Sequence, residues 1–255
     1  MTGTATVNDI GAYALRLGDD ALVLAQRLVE WSSRAPALEE DIALSNIGLD
    51  LLGQARSLLA YAGQTDGTGR SEDDLAFLRA EAEFTNCQLV EQPNGDFADT
   101  MARQLFFSTY QLALYRRLAG SADETLAAVA AKAAKEVDYH RDHATGWTLR
   151  LGDGTEESHR RMQAAVDRLW PFTFELFEPD GLTDRLVAAG AAVDPAGLRA
   201  EWDAHVEAVL AEATLTRPAE DWRPGGGRHG RHTEHLGYLL AEMQHLHRTH
   251  PGARW

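Results

Sequence analysis

A single cysteine, Cys87, in 255 residues leaves no internal disulfide to staple the fold. Its neighbours, TNCQLV, form neither a CxxC pair nor a catalytic setting, so Cys87 is expected as a small core residue of a cytoplasmic protein. Long apolar runs are also missing. None approaches the roughly eighteen residues of a membrane span, and the N-terminus MTGTATVNDIGAY has no basic region followed by an apolar one. Neither a membrane nor a signal peptide is expected. Cations are scarce, with 24 Lys and Arg against 39 Asp and Glu and a net charge of -15. Phosphate contacts need clustered Lys and Arg, so general nucleic-acid binding is excluded.

Strand alternation and hairpin signals are missing too, whereas stretches rich in Ala and Leu carry apolar residues three and four apart. The fold class is therefore all-α. The pattern predicts helices over about 19–33, 38–62, 71–90, 97–118, 123–149, 158–177 and 195–213, and a last one over 233–248. Ala35-Pro36 separates the first two, Asp194-Pro195 starts the seventh, and Pro171 bends or restarts the sixth. Ser71 with Asp74, and then Asp96, are capping signals. With 71–90 and 97–118 as one third helix that QPNGD interrupts, four long helices fill the first 150 residues and shorter ones follow, which is the order of a four-helix bundle with helical additions.

On the second long helix the inward stripe reads Leu44, Ile47, Leu51, Gln54, Leu58 and Tyr61; on the fourth it reads Leu126, Ala130, Ala133, Val137, His140, Ala144 and Trp147. Gln54 and His140 are thus polar groups in an apolar interior, where an unpaired one costs about 1 to 3 kcal/mol. Carboxylate-bridged di-iron bundles place Glu-x-x-His on two helices and a Glu on each of the other two, because i and i+3 share a face. This chain departs from that pattern. Val137 stands three residues before His140 and Leu51 three before Gln54, and 100–118 contains no Asp or Glu at all. On the first helix only Asp19, Asp20 and Glu30 could serve, while Leu17, Ala21, Leu24, Leu28 and Trp31 claim the inner face.

Two other clusters carry chemistry. In KEVDYHRDHATG, residues Glu136, His140 and His143 stand at helical ligand spacing, which keeps open a free-standing ferritin-like metal-binding enzyme as a second reading. The only basic concentration, RPGGGRHGRH, places Arg223, Arg228, Arg231 and His232 in a glycine-rich loop before a helix, a setting for partner docking or for a phosphate.

The stretches RLGDDALVLAQRLVEW, APALEEDIALSNIGLDLLGQAR, FTNCQLVEQPNGDFADTMARQ, KEVDYHRDHATGW and HTEHLGYLLAEMQ resemble, in order from residue 15 to 244, the C-subunit family of bacterial phenylacetyl-CoA epoxidases. The resemblance implies a single ferritin-like domain over 1–255, with a bundle core at about 15–150 and additions and a C-terminal arm over 151–255. It implies no metal in this chain, with Leu51, Gln54, Val137 and His140 as degenerate ligand positions. It further implies a di-iron catalytic A subunit as partner, a small B subunit, and a reductase carrying flavin and iron-sulfur. The whole assembly would epoxidise the ring of phenylacetyl-CoA. Contacts to the CoA thioester would come from Glu83, Phe84 and Thr85 and from Thr183, Asp184 and Arg185.

Overall fold

The computed structural model describes residues 6–219 and 222–253. Among these the chain forms α1 (Val7–Val29), α2 (Leu38–Thr65), α3 (Glu72–Phe77), α4 (Gln88–Glu91), α5 (Phe97–Leu118), α6 (Glu124–Gly152), α7 (Glu156–Leu169), α8 (Gly181–Ala188), α9 (Arg199–Glu212) and α10 (Glu234–Thr249), joined by 3₁₀ turns and loops, with no strand among the described residues. The all-α class follows from the helical spacing of the apolar residues.

The chain divides into two compact units. One holds Met1–Pro93 with Gly226–Trp255, and the other holds Asn94–Gly225. In the first, α1 and α2 pack antiparallel along their lengths. A Cβ at Gly11 would lie 2.6 Å from the Thr65 hydroxyl and one at Gly18 would lie 2.8 Å from a Leu59 methyl, so both glycines admit the neighbouring helix. These contacts extend α1 well before Asp19, back to a capping box between Thr6 and Asp9. The C-terminal helix α10 returns to this unit. Gln244 and Arg248 donate to the carbonyls of Ala76, Phe77 and Arg79, satisfying acceptors that the end of α3 leaves free.

The helix expected over 71–90 is replaced by three pieces. Ser71 and Asp74 form the expected box, but α3 stops at Phe77, a 3₁₀ turn covers Glu81–Glu83, and Phe84 and Cys87 are extended before α4. The cause is long-range. The N–H groups of Thr85 and Cys87 donate to the carboxylates of Asp19 and Asp20 on α1, at 2.8 Å each, in place of a helical carbonyl. Cys87 is fully buried.

The second unit is built on α5 and α6, joined by a short turn and packed antiparallel, with Phe97 edge-on to Trp147. Its core is aromatic. Trp202 of α9 lies 5.5 Å from Trp170, 5.8 Å from Phe106 and 5.4 Å from Phe177, and its indole N–H donates to the Phe106 carbonyl. Pro171 stands at the start of the 3₁₀ turn Trp170–Phe177, where α7 ends. Helix α8 is additional to the helices that the apolar spacing predicts. Asp180 caps it, accepting from the Thr183 N–H.

Candidate functional site

On α2 the residues Leu44, Ile47, Leu51, Gln54 and Leu58 are buried, and on α6 so are Leu126, Ala130, Ala133, Val137, His140 and Ala144. Tyr61 and Trp147, at the ends of the two stripes, are half-buried. The registers read from the sequence are therefore the inward ones. Leu51 and Val137 are both 0% exposed, so hydrophobes stand in the interior where a di-iron helix needs carboxylates.

Helix α5 is buried over most of its circumference; beyond Asp99 of its first turn, which pairs with Arg168, it carries Thr100, Arg103, Gln104, Ser108, Thr109 and Gln111 inside, none of them a carboxylate. The Ser108 and Thr109 hydroxyls donate to the carbonyls of Gln104 and Leu105 one turn back. The sequence shows the missing acids here but does not reveal this buried polar face. Only the helix's unusual richness in Gln, Ser and Thr signals it.

Asp19 and Asp20 of α1 are buried, and arginines hold both. Asp19 pairs with Arg79 and also accepts from the Thr85 hydroxyl at 3.0 Å. Asp20 takes both ends of the Arg228 guanidinium, at 2.9 and 2.8 Å. Burial pushes the Asp20 carboxyl above the usual carboxylate range, against the pull of Arg228 and of the Cys87 N–H. A third buried acid, Glu91 of α4, accepts from Asn86, from the His232 Nδ1 and from both the N–H and the hydroxyl of Thr233. Its backbone carbonyl accepts from Arg27 at 3.1 and 2.7 Å.

This nest leaves the last helix without a side-chain N-cap and corrects the expectation of a free basic loop. Thr233 precedes α10 but does not cap it through its side chain, which is spent on Glu91. The loop RPGGGRHGRH is not free over its second half. Arg228 lies inside against Asp20, Thr85 and Arg16, the His232 side chain is fully covered, and the Arg231 carbonyl accepts from Gln88. Gly230 adopts φ +71° with the Ala82 carbonyl pressed so close that a Cβ would meet it at 2.2 Å. Of the four docking candidates, Arg231 is exposed, and the Arg223 guanidinium sits 4.3 Å over the Phe174 ring.

The thioester candidates fall in different units and are largely in use. Glu83 accepts from the Ala80 N–H, Phe84 is buried with the Arg79 guanidinium 4.0 Å over its ring, and Thr85 bonds Asp19. Thr183 completes the Asp180 box, Arg185 donates to the Gly181 carbonyl, and Asp184 is exposed. Phe84, Thr85 and Thr183 thus each have a structural role within the chain.

Glu136 lies 3.5 Å from Lys132 on the solvent edge of α6, while His140 is buried. Among the described residues no group of three or more His, Cys, Asp or Glu side chains is placed to hold a metal ion. The arrangement needed by an enzyme using Glu136, His140 and His143 is therefore not assembled. A di-iron centre does not fit this chain either, with Leu51 and Val137 inside and Asp19 and Asp20 bound by arginine.

The sequence matches the family described as phenylacetic acid catabolic protein over residues 2–255. The chain belongs to that family. Within it, a similar protein is the C subunit of the 1,2-phenylacetyl-CoA epoxidase of Escherichia coli (strain K12), 55% identical over 249 residues, which are 98% of this chain and 100% of the relative. Membership of the phenylacetic acid catabolic family agrees with the all-α, ferritin-like reading. Among the described residues no helix is long and apolar enough to cross a membrane.

Proposed function

We propose that this chain is the non-catalytic structural subunit of a multicomponent phenylacetyl-CoA ring 1,2-epoxidase of aerobic phenylacetate catabolism. In this reading a di-iron A subunit performs the chemistry with O₂, a reductase with flavin and iron-sulfur supplies electrons from NADPH, and a small B subunit joins them in the cytoplasmic assembly. The whole-length similarity to the C subunit of an epoxidase supports the pathway. The observation that carries the non-catalytic role is the pair Leu51 and Val137, hydrophobes fully buried where a metal-binding bundle needs acids.

The partner face in this reading is the outer side of α2. Leu38, Ile42, Leu49 and Leu52 are 72, 54, 62 and 38% exposed, and their spacing of four, seven and three puts them on one stripe. Acidic Glu39 and Asp50 run along one border, so the matching surface is an apolar helix of the A subunit with basic flanks. Opening a bundle for two irons and a long thioester weakens its packing, and a well-packed partner offsets that loss through a large apolar interface. Metal analysis and co-purification test the proposal. The expected result is a stable complex whose iron stays with the A subunit; stoichiometric iron or manganese in this chain purified alone would overturn it.

A further inference from the structure

The segment from Gly226 to Thr233 reaches into its own unit and is pinned at three points: Arg228 on Asp20, the Arg231 carbonyl on Gln88, and His232 on Glu91. The second pin holds no titratable group, and in the first, burial pushes the Asp20 carboxyl above the usual carboxylate range. The third has a distinctive geometry. The His232 Nδ1 lies 2.8 Å from the Glu91 carboxylate and its Nε2 lies 2.9 Å from the Phe84 carbonyl. Both partners are acceptors. A neutral imidazole has one N–H, so it leaves one of these contacts as two facing lone pairs. Against a Glu91 carboxylate only the doubly protonated ring satisfies both, in a side chain with no exposure to water.

We propose that His232 is the pin of a pH-dependent latch, bound as an imidazolium while the arm is closed and giving up its proton when the arm opens. The groups facing it come from every packed element. Glu91 of α4 contacts it directly and Phe84 contributes its carbonyl. Glu81, from the 3₁₀ turn, adds negative charge and stands over the first turn of α10 at Gly237. Arg27 of α1 bonds the Glu91 carbonyl, and Thr233 on the arm bonds the same carboxylate. Burial lowers the His232 affinity for a proton, but the bond to Glu91, the Glu91 charge and the Phe84 carbonyl outweigh it, and the net shift is upward.

A histidine whose closed-state value is raised stabilises the closed arm fully below its ordinary value of 6.5. That stability is lost as pH rises through the raised value. Within this window the closed-to-open ratio falls by up to about tenfold per pH unit. Alkaline conditions therefore loosen the arm and uncover the α1 acids and the extended Phe84–Cys87 segment beneath it.

Two measurements on the full chain decide the matter. Nitrogen-15 signals of the His232 ring should titrate with a midpoint above 6.5; a midpoint at or below it overturns the proposal. Amide exchange over residues 229–233, corrected for the intrinsic pH dependence of exchange, should show protection falling with pH in the wild type and a flat profile in His232→Gln. A flat wild-type profile, or an equal slope in the variant, contradicts the latch. Should the variant not fold, the two wild-type measurements decide alone.

Discussion

Replacing Arg79 with methionine is expected to cost the folded protein about 3 to 5 kcal/mol, measured by denaturant unfolding. Asp19 has no exposure, and the cation that balances it is the Arg79 guanidinium. Without it a carboxylate stays buried with two neutral donors from Thr85, or takes up a proton at the expense of folding. Arg79 also covers the Phe84 ring and donates to the Leu75 and Glu83 carbonyls, so the break spreads along the chain between α3 and α4. Removing both charges in Asp19→Asn/Arg79→Met should cost clearly less than the single change, because no bare charge remains. A loss below about 1 kcal/mol in Arg79→Met would show that the pair does not hold the fold.

Placing acids on the outer stripe of α2, as Ile42→Asp with Leu49→Asp, is expected to weaken binding to the A subunit at least a hundredfold, about 2.7 kcal/mol or more. Both side chains are over half exposed in this chain, so its own melting temperature should hardly move. Titration calorimetry against the A subunit and a melt of the variant separate the two effects. Unchanged affinity would remove this face from the interface without touching the family assignment.

The degree to which the molecule can be read from its sequence follows the range of the interactions. Helix type and inward register are legible because the three-four spacing of Leu44, Ile47, Leu51 and Gln54, and of Val137, His140 and Ala144, is a local signal. Hence the absence of Glu-x-x-His from these inward positions can be read from letters alone. The burial of Asp19 and Asp20 cannot. Two adjacent acids at the centre of a helix look like a solvated edge unless their cations are known, and those stand about 60 and 208 residues away. The same distances hide the break after Phe77, since the Thr85 and Cys87 amides leave the helical ladder for these acids. RPGGGRHGRH has the composition of a free cationic loop, yet Arg228 and His232 meet buried acids at Asp20 and Glu91, themselves about 208 and 141 positions off. Charge pairing across such separations leaves no periodic trace in a sequence.

Turnover of phenylacetyl-CoA by the A subunit, the B subunit and the reductase, with and without this chain, tests the central claim most directly. Epoxide formation is expected to collapse without the chain and to return when chelator-treated chain is added back. Full turnover in its absence, or turnover by this chain and the reductase without the A subunit, would contradict it.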